Sequence, residues 1–255
     1  MSKVEDYRHK LRQTGSWDPF LLQESGLPGP RGNLELARAV AEEGEEALFH
    51  RYRALDAAQA PTNDPREFLA FCGVLGLGRL LAESAGRGMV RADLLAALRG
   101  HASDARWRMR EAVAQALQWW GRADMDALLV EMGGWAQGER LEQRAAAAAL
   151  CEPALLREAE HARRVLDVLD TITASIAEAG DRRSDEFRAL RKALGYCWSV
   201  AIVALPEAGL PRMEAWFSSP DPDVQWMLRQ NLKKKRLARL DAAWVARWSQ
   251  ASGAA

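Results

Sequence analysis

At 255 residues the chain is long enough to bury a sizeable core in one or two domains. Lysine plus arginine and aspartate plus glutamate stand at 35 each, so no overall field draws the chain to nucleic acid or to a membrane surface, and any polyanion site has to be local. Cys72, Cys151 and Cys197 are odd in number, widely spaced and embedded in apolar stretches, which argues against a disulfide framework or a Cys-x-x-Cys motif and suits a reducing compartment.

Alanine, leucine, arginine and glutamate dominate, β-branched runs are few and no stretch alternates convincingly, so the expected class is all-α. Residues 1–15 read as a short polar helix or loose arm, followed by a compact apolar entry at Trp17–Leu22. The Pro and Gly density of Glu24–Asn33 forbids regular structure; the segment reads as an ordered connector, with a ligand lid carrying Arg31 as the lesser alternative. Asn33 is placed to cap a helix over Leu34–Ala41, and a further helix follows at Ala47–Leu55.

Asp64-Pro65 with Glu67 is a strong helix start, predicting a helix over Arg66–Ala85. Gly73, Gly76 and Gly78 inside it lack the preceding strand and third glycine of a dinucleotide loop, so close helix packing is the better reading. Met89–Leu98 is the next helix. Asp104 is an N-cap candidate for the one after it, whose apolar stripe runs through Met109, Val113, Leu117 and Trp120 to a C-cap at Gly121. Met125–Trp135 and the alanine-rich Glu139–Leu150 follow, and Pro153 is expected to open one long helix to Ala179. Asp185 and Asp223 each begin a further helix, and Leu237–Trp248 makes a last amphipathic one before a frayed tail, Ser249–Ala255.

One pattern recurs. Asp104-x-x-Trp107-x-x-Arg110-Glu111 and Asp223-x-x-Trp226-x-x-Arg229-Gln230 share a spacing, and Asp185 with Arg191 repeats its Asp-to-Arg step. Six residues turn the two side chains well apart around a helix, so each is better aimed at a neighbouring unit than at its mate. Asp64, Asp104, Asp185 and Asp223 fall near multiples of roughly 40 residues.

These segments resemble the second helix of the HEAT-repeat family, well over 101–121 and less closely over 218–232. The resemblance implies a right-handed α-solenoid of about five to six HEAT-like helical pairs, with Asp104, Arg110, Asp185, Arg191, Asp223 and Arg229 forming a ladder between successive inner helices. It also implies a single domain: an N-terminal arm and loop over 1–33, repeats over 34–217 and a C-terminal capping repeat over 218–255.

Two surfaces are candidates for binding. Arg229, Lys233, Lys234, Lys235 and Arg236 beside Trp226 combine phosphate-neutralising charge with an indole able to stack, although cations near a helix C-terminus also serve the dipole and a solvated cap. Trp107, Arg108, Arg110, Trp119 and Trp120 would form an aromatic and cationic concavity, unless Trp107 packs on an adjacent repeat. His9, His50, His101 and His161 are isolated, no metal or cofactor motif is present, and neither a nucleophile elbow nor a phosphate loop occurs.

The leading expectation is a non-enzymatic adaptor that binds a protein partner through its curved surface. The alternative rests on fold-level similarity to the HEAT-like bacterial alkylpurine DNA glycosylases, which implies a DNA-binding, base-excision role; no local motif here matches that family's catalytic aspartate, so no catalytic residue is assigned. Met1–Gly15 is charged rather than apolar and the run Tyr196–Leu205 is too short to span a bilayer, so cytoplasmic residence without a membrane partner is expected.

Overall fold

The computed structural model describes residues 2–85, 88–251 and 253, and among them the regular structure is helical, with no strand. The chain divides into two compact units, Met1–Ala123 and Asp124–Ala255. No helix among the described residues is long and apolar enough to cross a membrane.

The first unit contains α1 (Lys3–Gln13), α2 (Trp17–Glu24), α3 (Leu34–Glu43), α4 (Glu46–Arg53), α5 (Pro65–Glu83), α6 (Gly88–Ala102) and α7 (Trp107–Ala123). The described part of the expected arm is therefore a helix, and it packs on α3 with Leu11 buried. Both expected starts hold: Asn33 accepts from the Leu36 amide, and Asp64 accepts from the Arg66 amide with Pro65 in the first turn. Glu67 reaches back to the Asn63 amide at 2.7 Å, one residue before the cap, so the reciprocal bond expected of a capping box falls on the neighbouring residue.

Helix α5 is the axis of this unit, packing on α2, α3, α4, α6 and α7, and it is buried on nearly every side. Its glycines are there for contact. A Cβ at Gly76 would lie 2.2 Å from the Phe49 ring, and one at Gly78 would lie 2.4 Å from the Ala116 carbonyl oxygen of α7. The alanine stripe of α7 and the glycines of α5 thus bring two backbones together.

The second unit contains α8 (Met125–Trp135), α9 (Arg140–Leu150), a 3-10 turn (Pro153–Leu155), α10 (Ala159–Ala177), α11 (Asp185–Ala204), α12 (Pro206–Trp216), α13 (Pro222–Leu232), α14 (Lys235–Leu240) and α15 (Ala242–Ala251). Here α11 packs on α9 and α13, while α10 and α12 cover it as a second layer. Buried Asn231 of α13 ties the pair, donating to the Leu194 carbonyl at 2.8 Å and accepting from the Ser199 amide at 2.9 Å.

Several boundaries differ from the sequence reading. Pro153 opens only one 3-10 turn, in which Leu155 turns inward, and α10 begins afresh at Ala159. Helix α7 passes through Gly121 to Ala123, where Asp124 caps α8 instead. The last helix is two, because Asp241 ends α14 and its carboxylate accepts from the Trp244 amide to start α15. That second helix continues to Ala251, so Ser249 to Ala251 are helical rather than frayed; Ser252, Ala254 and Ala255 of the expected tail lie outside the described residues, as does Met1 of the arm.

Two outcomes are expected from this packing. Gly78→Ala should lower stability by about 2 kcal/mol, since the atoms it meets are backbone and cannot swing aside, whereas Gly133→Ala on α8, with open space around it, should leave stability unchanged or raise it by up to ~1 kcal/mol. Urea unfolding of both variants measures the contrast. In addition, Glu43 of α3 takes Arg12 at 2.5 Å and Arg8 at 2.6 Å from α1, and these guanidiniums hold its carboxyl down to about 2. A depressed carboxyl stabilises fully above its unfolded value of about 4.3 and loses that contribution as pH falls towards 2. Wild type should therefore lose more stability between those limits than Glu43→Gln, a difference that a pH series of thermal melts reads and that added salt should shrink.

Candidate binding site

A cavity of about 180 Å³ opens in the first unit between the Pro/Gly connector and the start of α7. Its walls are mainly apolar: Leu27 and Pro30 from the connector, Leu34 of α3, Phe68 and Phe71 of α5, and Trp107 of α7. Arg31, Arg108, Glu111 and Gln115 add polar edges. Trp107 is 45% exposed, so its indole is an open wall of this cavity and is not sealed between helices.

The connector is shaped by its own hydrogen bonds. The Asn33 amide donates to the Ser25 carbonyl at 2.8 Å, the Asn33 side chain donates to the Glu24 carbonyl and to the Tyr7 hydroxyl at 2.9 Å each, and Gly26 takes a φ of 73° that favours glycine. Its outer turn is then fastened to the rest of the unit. The Gly29 amide donates to Asn63 Oδ1 at 3.0 Å, and the Gly29 carbonyl accepts from Arg108 at 2.6 Å.

Arg108 is the centre of this arrangement. Its guanidinium is almost wholly buried, donates to Glu67 Oε2 at 3.0 Å and to Asn63 Oδ1 at 3.2 Å, and lies 4.4 Å from the Trp107 ring centroid. One side chain thereby joins α7, the start of α5, the connector and the indole. The pair is not fully satisfied: Glu67 Oε1 and Arg108 Nε are buried without a hydrogen-bond partner among the described residues. A buried ion pair with unfilled bonding capacity is a weak source of net stability but a strict fixer of geometry once formed.

The other residues of the expected concavity do not all join it. Trp120 lies on the opposite side of α7, 1% exposed in the core with Arg91 5.5 Å from its ring centroid, so it cannot serve as a surface platform. Trp119 is half-buried beneath Arg38, at 5.8 Å. Arg110 donates to the Asp104 and Ala105 carbonyls at 2.6 and 3.1 Å.

Asp104 does not cap α7 directly and its carboxylate is not turned to another helix's arginine. It accepts from the Arg106 amide and from Nε and Nη2 of the Arg106 guanidinium, at 2.7 to 3.0 Å. Arg106, 3% exposed, then reaches the carbonyls of Leu55, Asp56 and Ala60, binding the turn after α4 to the entry of α7. The sequence reading passed over this arginine because its partners are main-chain carbonyls, which carry no residue signature; the Asp-x-Arg spacing was the available clue.

In the second unit, the cap of α13 is Asp221, whose carboxylate accepts from the Asp223 and Val224 amides. Asp223 is freed for a cross-helix role, bonding Arg191 of α11 and, at 2.8 Å, Arg182. Asp185 is exposed and pairs with Arg188 within its own helix at 2.9 Å, and Arg229 sits half-buried on α13 without an ion pair among the described residues.

Around Trp226 a shallow cleft of about 360 Å³ lies between α11 and α13, lined by Arg188, Arg191, Lys192, Gln230 and Lys234. Lys233 and Lys235 are exposed beyond it, and Arg236 bonds the Tyr196 hydroxyl. Of the five cations singled out in sequence, Lys234 alone lines the cleft; Arg188 and Lys192 were missed, and Arg191 was named only as a ladder residue, because only the pairing of α11 with α13 brings them to Trp226. Among the described residues, no group of three or more His, Cys, Asp or Glu side chains is placed to hold a metal ion.

Removing one partner from the buried pair should be costly. Arg108→Met should lower unfolding free energy by about 3 kcal/mol or more, and the double replacement Glu67→Leu with Arg108→Met should recover part of that loss, as measured by denaturant titration. In comparisons with known proteins, no family model, no curated protein and no solved structure matches this chain.

Proposed function

We propose that this chain is a HEAT-like helical-repeat protein, acting in the cytoplasm as a non-enzymatic adaptor that docks a protein partner at the Trp107 cavity. The repeat reading is supported within each unit by packing of alternate helices, α3 on α5 on α7 and α9 on α11 on α13, with α4, α6, α10 and α12 packed against them. It is supported further by the Arg191 to Asp223 ion pair, which joins ladder positions of two consecutive inner helices.

The observation that carries the docking role is an exposed indole that walls an apolar hollow, with a buried guanidinium against its ring. Binding hot spots are enriched in tryptophan and arginine and pair with pockets that exclude water. Here Glu67 holds the Arg108 guanidinium, which lies against the ring and favours one placement of it before a partner arrives, reducing the ordering cost at docking. The size of the hollow also bears on what fills it: about 180 Å³ is below the 300 Å³ or so at which small-molecule sites begin, and suits one large apolar side chain projecting from a protein surface.

Selection of random displayed peptides on the intact chain tests this reading. Enriched peptides should share one aromatic or leucine anchor, and Trp107→Ala should weaken their binding by about tenfold or more while leaving the thermal midpoint within a few degrees. Peptides without an apolar anchor, or binding indifferent to Trp107, would contradict it.

A further inference from the structure

We infer that the α11–α13 face of the second unit is a binding site for single-stranded nucleic acid, separate from the Trp107 cavity. Arg188, Arg191, Lys192 and Lys234 line the Trp226 cleft, and among the described residues no carboxylate lines it with them. Two of those charges have acidic partners nearby, Asp185 for Arg188 and Asp223 for Arg191, while Lys192 and Lys234 are without a paired carboxylate among the described residues. The chain's zero net charge therefore hides a locally positive surface.

Aromatic rings sit within this charge. Arg191 lies 4.4 Å from the Trp226 ring centroid, and Gly195 lets α13 come close to α11, since a Cβ there would lie 3.0 Å from Gln230 Cβ. The next residue, Tyr196, is 43% exposed, with Arg236 at 4.5 Å and Lys234 at 5.6 Å from its ring centroid. Lys234 belongs to both groups, so the Trp226 cleft and the Tyr196 ring form one continuous surface.

Cations alone would accept any polyanion. Phosphate-neutralising charge interleaved with partly exposed rings is the arrangement that lets successive bases stack while the backbone is neutralised. An acidic peptide has charge to offer but nothing that requires the rings. A duplex keeps its bases stacked inside, out of reach of a shallow cleft between two helices, so an unpaired strand is the form that uses both features.

The test is fluorescence anisotropy of the full chain with a labelled oligothymidylate of about 15 nucleotides, against a duplex of equal length and polyglutamate as competitors. The single strand should bind preferentially, with a log–log salt slope between about −1.4 and about −3, from the two lysines alone to all four cations at ~0.7 each. Lys192→Glu with Lys234→Glu should abolish binding. Tyr196→Ala and Trp226→Ala should each weaken it by about tenfold, with Trp226→Phe recovering most of the loss. Tyr196→Ala, on the exposed rim, keeps the test decisive if Trp226→Ala fails to fold. Absence of binding, equal competition by duplex or polyglutamate, or indifference to the charge reversals or to Tyr196→Ala would overturn the inference.

Discussion

The contact on which the first unit's site depends is the buried ion pair of Arg108 with Glu67. A guanidinium taken out of water needs hydrogen-bond partners, and Arg108 finds them in two separate pieces of chain: the Gly29 carbonyl of the connector, and the Asn63 side chain and Glu67 carboxylate at the start of α5. Meeting that demand fixes the connector against the start of α5 and places the guanidinium against the Trp107 indole. The cavity follows from these placements, because its walls are contributed by the elements the arginine joins.

Within the first unit, close backbone approach adds to the packing of large buried side chains such as Phe49, Tyr52 and Trp120. Gly73, Gly76 and Gly78 let α5 meet α4 and α7 at distances that a single methyl group would prevent. In the second unit, Asn231 and the Arg191 to Asp223 pair perform a comparable joining of α11 to α13, with polar contacts inside a helix pair. Both strategies restrict the relative placement of neighbouring helices, and placement is what creates hollows and charged clefts on their outer faces.

What could be read from the chain alone was largely local. The Asn33 and Asp64 caps, the helix over Met125–Trp135 and the packing role of the α5 glycines follow from short-range propensity and periodicity, and the structure carries each of them. The errors arose where two local solutions compete. Asp221 and Asp223 both resemble caps, and the residue preceding the first-turn proline takes the role; Asp241 interrupts an apolar stripe that otherwise continues. Tertiary assembly was not legible: that the connector walls a cavity, that Arg106 gathers three carbonyls, or that Lys192 lies beside Trp226 depends on residues tens of positions apart. Helical spacing puts Trp120 in the apolar stripe and Trp107 almost opposite it, and the structure sends one to the core and the other to solvent, so the candidate concavity that held both does not form.

The most direct measurement of this account is amide hydrogen exchange on the intact chain, comparing wild type with Arg108→Met. If the buried guanidinium is what holds the connector, residues 24–33 should be protected in wild type, and that protection should collapse selectively in the variant while α9, α11 and α13 exchange as before. A connector that exchanges freely in wild type, or that keeps its protection without Arg108, would contradict the claim that this one buried charge builds the site.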